Sequence, residues 1–265
     1  MSDEQPTQRY RATVEYDGTP YKGFQRQANG HSVQQAIEEA IYSLCGADVR
    51  LTAAGRTDTG VHALAQVIHF DIPAGKTPFR VMEALNALLV QANERVAFLD
   101  CETVGNDFSA RFSATGRRYL YRIINRRAPL TVERERAWWI RKGLLDVDRM
   151  NEGAKRLLGT HDFTTFRAAD CQAKSPIRTL DELWAERIDE HEIHIHAAAR
   201  SFLHNQVRSL AGSLKLVGDG KWSADDLKQA LEAMDRKACG PVAPAHGLYL
   251  SAVSYRSAEG ASQPN

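Results

Sequence analysis

At 265 residues the chain is long enough to bury a substantial core, and 43% hydrophobic with 25% charged residues is an ordinary globular composition that argues against intrinsic disorder. Its four cysteines, Cys45, Cys101, Cys171 and Cys239, are widely spaced with no C-x-x-C, so neither a disulfide framework nor a thiolate zinc site is indicated. The net charge of +1 hides an asymmetry: between Arg111 and Lys142 ten arginines or lysines face only Glu133 and Glu135, a surplus of eight that leaves −7 for the remainder.

The opening MSDEQPTQ is polar and lacks an apolar stretch, so no signal peptide is expected. No apolar run approaches the ~18 residues of a membrane-spanning helix. A soluble, cytoplasmic protein with no membrane partner follows as the expectation. RYRATVEYDG alternates, with Tyr10, Ala12, Val14 and Tyr16 on one face, which predicts a strand closed by the turn Asp17-Gly18-Thr19-Pro20. Ser32 opens an S-x-x-Q capping box, and Val33, Ile37, Ile41 and Leu44 recur at helical spacing up to Gly46. Val49, Leu51 and Ala53 begin a second strand and residues 64–72 a third. Thr77-Pro78 starts a helix carrying Val81, Met82, Leu85, Leu88 and Leu89, and residues 95–103 read as a fourth strand.

The second half repeats that order. A strand at 117–125 precedes a helix at 147–158 with Val147, Met150, Ala154, Leu157 and Leu158 inward, stopped by Gly159. Strands follow at 178–188 and 193–199, then a helix with Leu203, Val207, Leu210, Leu214 and Val217, a short helix capped by Ser223, and the alternating GLYLSAVSY as the last strand. Each half reads βαββαβ, so the expected class is α+β: two ferredoxin-like halves whose antiparallel sheets join, helices on one face and an active-site cleft on the other. The expected domains are residues 1–105, carrying the Asp58 loop, and 106–255, with a disordered tail at 256–265.

The basic run suits a groove that holds a polyanion by its phosphates, and Phe112, Tyr119, Tyr121, Trp138 and Trp139 interleave stacking platforms with its cations. A solvated strand and loop is the plainer alternative. Asp58 stands between Gly55 and Gly60, two residues from Arg56, where the backbone can be held tight or approached closely. Asp58-Thr59-Gly60 is also the aspartic-protease tripeptide, but that chemistry needs two carboxylates and an apolar strand before them, where this chain has Arg56-Thr57. A loop-capping carboxylate paired with Arg56 is a further alternative. His194 and His196 share one strand face and suggest a metal, yet no third ligand is evident and solvent-exposed histidines are favoured, so no metal is expected. No G-x-x-x-x-G-K-[ST], G-x-G-x-x-G or H-E-x-x-H occurs.

Five segments are spread in this order along a resemblance that spans roughly Arg9 to Tyr255: VEYDGTPYKGFQRQ, AGRTDTGVHALAQVIHF, DFSARFSATGRRYLYRI, HDFTTFRAADCQ and RSFLHNQVRSLAGSLKLVGDGKW. Together they resemble the TruA family of tRNA pseudouridine synthases, whose most specific element is GRTD-x-GVHA. The resemblance implies that Asp58 is the catalytic aspartate, Arg56 the arginine that helps extrude the target nucleotide, Tyr119 the tyrosine packed on the flipped base, and Arg208 the arginine paired with the aspartate. It places Phe108, Ser109, Ala110, Arg111 and Phe112, Arg127, and Phe166, Arg167, Ala168, Ala169 and Asp170 where members touch tRNA. It further implies a homodimer without metal or cofactor that isomerises uridines 38, 39 and 40 of the anticodon stem-loop. Three features depart from the family pattern: Phe24 replaces a common tryptophan, Asn205-Gln206 a frequent His-Met pair, and NALLVQANERVA lacks the usual Leu-Pro turn. A tRNA-binding protein or RNA chaperone without catalysis is the rival reading; it explains the basic run but not Asp58, Tyr119 and Arg208 together.

Overall fold

A computed structural model describes residues 6–256, so the acidic opening up to Gln5 and the expected tail beyond Arg256 lie outside the described residues. The described chain is mixed α+β, with ten strands and five α-helices, and it divides into two compact units. One holds residues up to Gly116 together with those from Ser251 onward; the other holds Arg117–Leu250. The division therefore falls later than the expected 105/106. The physical reason is that Phe108–Ser113 is tied to the first unit: the Ala110 amide donates to His69 Nδ1 at 3.0 Å and Arg9 Nη1 to the Phe108 carbonyl at 3.0 Å.

In the first unit β1 (Thr7–Tyr16) pairs antiparallel with β3 (His62–Pro73) and with β4 (Val96–Val104), while β2 (Thr52–Ala53) adds two residues to β3. The order β4-β1-β3-β2 is that of a split βαβ unit. The alternation in β1 holds: Tyr10, Ala12, Val14 and Tyr16 are buried, and Tyr10 stacks on Phe70 at 5.8 Å. Each large apolar side chain so buried contributes on the order of 1.5–3 kcal/mol. Two helices cover that face, α1 (Val33–Cys45) packing on α2 (Pro78–Gln91) and α2 on β4.

Helix ends match the sequence unevenly. Ser32 caps α1 by accepting the Gln35 amide, and Gly46 closes it in the left-handed region at φ 68°. The expected capping box is only half made, because the Gln35 carboxamide turns to Glu39 at 2.8 Å instead. Where the Leu-Pro turn is missing, α2 stops at Asn93, whose φ of 56° is one that asparagine tolerates. The second strand shrinks to Thr52–Ala53; Val49 and Leu51 are buried without joining a ladder.

The second unit contains β5 (Ala114–Asn125) from Arg117 on, β6 (Trp138–Ile140), α3 (Val147–Lys155), β7 (Gly159–Asp162), β8 (Ile177–Arg187), β9 (Glu192–Ala199), α4 (Gln206–Gly218), α5 (Ala224–Glu232) and the start of β10 (Leu248–Tyr255), up to Leu250. Its sheet runs β10-β5-β9-β8-β7, with β6 parallel to the end of β5. Removing β6 and β7, the two strands the sequence did not announce, leaves the same βαββαβ plan. β10 ends with Ser251–Tyr255 in the first unit, where Val253 and Tyr255 join a cluster with Ala54, Val67 and Ala110. Helix α3 ends at Lys155, three residues short of expectation: Leu157 is buried but Leu158 is exposed, and Gly159 at φ 97° starts β7 instead of capping the helix. Leu203 precedes α4, its amide taken by Gln206 Oε1 at 2.8 Å. Ser223 and Asp226 form a complete capping box on α5.

Candidate active site

The loop between β2 and β3 carries Asp58, and the chain grips it from four directions. Buried Gln66, on β3, donates from Nε2 to the Gly55 carbonyl at 2.7 Å. The Tyr16 hydroxyl meets Thr57 Oγ1 at 2.7 Å, and the Phe24 amide donates to the Thr57 carbonyl at 3.0 Å. The Val61 amide donates to the Asp58 carbonyl at 3.1 Å, closing a tight turn in which Gly60 takes φ 75°. Beneath the turn, the Gly18 amide donates to His62 Nδ1 at 3.0 Å. That bond needs an unprotonated Nδ1, so the 3.2 Å approach of Asp17 Oδ1 to the same nitrogen is a contact and not an ion pair. Phe24, buried beside Tyr16, thus holds the loop through its backbone, whichever aromatic ring stands there. On the loop Arg56 is exposed, Thr57 buried and Asp58 half-buried.

Two consequences are testable. A Cβ on Gly18 would lie 2.0 Å from the Val61 carbonyl oxygen, so Gly18→Ala must push the turn carrying Asp58 away. Turnover is expected to fall about 100-fold, the cost of an ångström of misplacement, with tRNA affinity unchanged; normal turnover would show that the turn need not be held there. Asp17 accepts from the Thr19 hydroxyl at 2.6 Å and pairs with Arg95 at 3.0 Å. Desolvation pushes its pKa up, but the Thr19 bonds and Arg95 outweigh it and hold the carboxyl at about 2. A depressed acid stabilises the fold above its unfolded pKa of roughly 3.9, and that contribution is lost as pH falls toward the folded value. Asp17→Asn should therefore lower Tm by roughly 2–4 °C at pH 7, about 1 kcal/mol for a partly screened group, with the gap closing between about pH 4 and 2. A gap that stays constant down to pH 2 would assign the loss to packing instead of charge.

In the second unit Tyr119 lies on β5 opposite Ala197, half-buried, its ring edge-on to Phe202 at 5.2 Å. Two residues on, Tyr121 is fully buried and donates to the Pro244 carbonyl at 2.8 Å; burial pushes its hydroxyl far above the ordinary tyrosine range, against a smaller downward pull from Arg208. Arg208, in the first turn of α4, donates from Nε to the Ala243 carbonyl at 2.8 Å and from Nη1 to Asn205 Oδ1 at 2.7 Å. Asn205 sits at φ 62°, so the residue departing from the family pattern serves as a bent helix entry and a clamp on Arg208. Ala243 was not singled out from sequence, since only the fold brings it to Arg208; Tyr121, expected as a stacking platform, is instead a wholly buried support because its ring points into the core.

The segments expected to touch tRNA are anchored differently. Arg111 and Phe112 are exposed, with the guanidinium 5.4 Å from the Phe112 ring centre. Phe108 and Ser109 are half-buried and Ala110 is fully buried. Burial first, and the Arg9 cation second, push His69 below the ordinary histidine range, which keeps Nδ1 free to accept the Ala110 amide. Phe166 is a correction: its side chain is wholly interior, 6.2 Å from Phe163, because the turn Thr164–Phe166 folds it into the core as an anchor. Ala168 is buried too, its amide held by the His204 carbonyl, while Arg167 is half-buried and Ala169 and Asp170 are exposed; Asp170 reaches His204 Nδ1 at 3.2 Å. Arg127 is exposed just past β5. The basic run is partly spent within the fold: Arg118 makes a bidentate pair with Glu182 at 2.7 Å, and Arg122 bridges Glu133 and Glu192 at 2.8 Å.

One expectation about metals is corrected. His194 and His196 do have a third donor: Glu186, on the neighbouring strand, lies with them so that the three ligand atoms are within 4.8 Å of one another. Strand register, invisible in the sequence, brings it there.

A family model described as tRNA pseudouridine synthase matches residues 12–113 and 154–256. A protein of Brucella anthropi named tRNA pseudouridine synthase A is 61% identical over 247 residues, covering 93% of this chain and 98% of the relative. Its namesake from Brucella ovis is 60% identical over the same shares. Both kinds of similarity run through the gripped Asp58 turn and through Arg208, and on that footing the chain belongs to the tRNA pseudouridine synthase family.

Proposed function

We propose that this enzyme, an isomerase converting uridine to pseudouridine in tRNA, acts on positions 38, 39 and 40 of the anticodon stem-loop with Asp58 as its catalytic group, in the cytoplasm and as a homodimer. The observation that carries the reading is the Asp58 turn, fixed through Gly55, Thr57 and Val61 with its carboxylate-bearing residue only half-buried. Rigid support outside the carboxylate is what a group acting on a flipped nucleotide requires. Uridine must lose its C1′–N1 bond, turn, and rejoin through C5, a rearrangement with no net hydrolysis or redox change. An ionised Asp58 serves it by attacking C1′ or by removing the 2′ proton. Arg56 assists extrusion, Tyr119 packs on the extruded base, and Arg208 supplies the positive charge that the aspartate's role calls for. Among the described residues no helix is long and apolar enough to cross a membrane.

The test is incubation with unmodified tRNA, followed by carbodiimide tagging and primer extension. Tags confined to positions 38–40 are expected. Tight tRNA binding with no tag anywhere would favour the RNA-chaperone reading, and tags elsewhere would move the site on tRNA. Sedimentation at micromolar concentration tests the dimer.

The same reading predicts how salt acts. Exposed Arg127 is assigned a phosphate contact, whereas Arg118 is taken up by Glu182. Arg127→Ala should flatten the slope of log K against log salt by about 0.7–0.9, with Arg118→Ala leaving it unchanged. Equal slopes in wild type and Arg127→Ala would remove this contact.

A further inference from the structure

We propose that Glu186, His194 and His196 form a binding site for a divalent transition-metal cation of the Zn2+ class, on the outer face of the β8–β9 pair. His194 and His196 are two apart on β9, on the face opposite the buried Ile193 and Ile195. Glu186 on β8 is in direct register with His194 and Trp184 with His196. The three donor atoms lie within 4.8 Å of one another, and zinc with bonds of 2.0–2.1 Å holds tetrahedral ligands about 3.3 Å apart, so side-chain rotation alone closes the site. Glu186 Oε1 and His196 Nε2 are already 2.9 Å apart, joined by a proton that the cation replaces.

The surroundings are built for a cation. Trp184 stacks flat on His196, centroids 4.0 Å apart and planes 16° from parallel, which fixes that imidazole. His194 Nε2 meets Glu192 Oε1 at 2.7 Å, a carboxylate–histidine pair of the kind that backs a metal ligand, which leaves Nδ1 as the nitrogen for the ion. On the same face of β5, Arg122 is offset by its two carboxylate partners, Glu192 and Glu133, and Arg118 by Glu182. With neutral imidazoles, Glu133, Glu186, Glu192 and Arg122 sum to −2, which a divalent ion neutralises. Two imidazoles and one carboxylate select Zn2+, Ni2+, Co2+ or Cu2+ over Mg2+ and Ca2+. The side chain of Glu186 is 43% exposed, leaving an open approach for the ion and a coordinating water.

The full-length chain, stripped with EDTA and then dialysed free of it, is titrated with ZnCl2 by calorimetry. We expect a tight site at one ion per chain, a higher Tm with zinc that EDTA reverses, and no effect of MgCl2 at the same concentration. Glu186→Gln and His196→Gln should weaken binding by more than the about 10–100-fold that loss of an outer partner costs. Their melting temperatures in EDTA show that they fold. Cu2+ binding should quench the Trp184 fluorescence, a component absent from Trp184→Phe. Zinc affinity unchanged in folded Glu186→Gln and His196→Gln, or a wild-type Tm that ignores zinc, overturns the site.

Discussion

Asp58→Asn should bring pseudouridine formation below detection while tRNA still binds at near wild-type affinity. The substitution keeps the size and much of the hydrogen bonding of the side chain but removes its charge and its nucleophilic oxygen. Binding survives because phosphate contacts supply most of the affinity for a nucleic acid. The turn survives because its grips act on Gly55, on Thr57 and on the backbone of Asp58 and Val61. A purely loop-capping carboxylate makes the opposite forecast, with Tm, affinity and turnover weakened together. Melting temperature, tRNA affinity at fixed salt and single-turnover rate therefore belong on one preparation. Asp58→Ala runs beside it, since deamidation of asparagine restores aspartate. A stable Asp58→Ala enzyme turning over at a tenth of the wild-type rate would sink the catalytic assignment.

What the sequence made legible is local. Period-two alternation located β1 and its buried tyrosines, and Ser32 and Gly46 bounded α1, because those signals sit within one element. The glycine-flanked carboxylate in GRTDTG was equally plain. The machinery around it was not, because each grip joins residues far apart in the chain: Tyr16 with Thr57, Gly18 with His62, Gln66 with Gly55. Nothing in the string VEYDG says that Gly18 must lack a Cβ because Val61 will lie against it. Register hid the rest. Glu186 joins His194 and His196, and Arg118 takes Glu182, only once β8 and β5 have settled on either side of β9. Phe166 shows the same limit: the resemblance carried a whole segment over to the RNA surface, but the turn at Thr164–Phe166 sends this ring inward.

Tyr119→Phe is expected to slow the single-turnover rate by about 10²–10⁴ while leaving tRNA affinity intact. Rejoining through C5 expels a proton from that carbon. With Asp58 proposed to act at the sugar, a second group must take it, and the Tyr119 hydroxyl, on the ring assigned to the base, is the candidate, passing its own proton to solvent as it accepts that one. Phenylalanine keeps the π-face and the edge contact with Phe202, so stacking, which is worth about 1–3 kcal/mol per base, is not lost. Tyr119→Ala removes both roles and should weaken binding as well as rate. Tyr121 supplies the internal contrast from the same strand face. Its hydroxyl is buried against the Pro244 carbonyl, and Tyr121→Phe should cost about 1 kcal/mol or more of stability by leaving that acceptor unpaired. The two substitutions thus separate proton transfer, read in rate, from structural support, read in Tm. An unchanged rate in Tyr119→Phe, measured where chemistry and not binding is limiting, would reduce the ring to a stacking platform and assign the C5 proton to another group or to solvent.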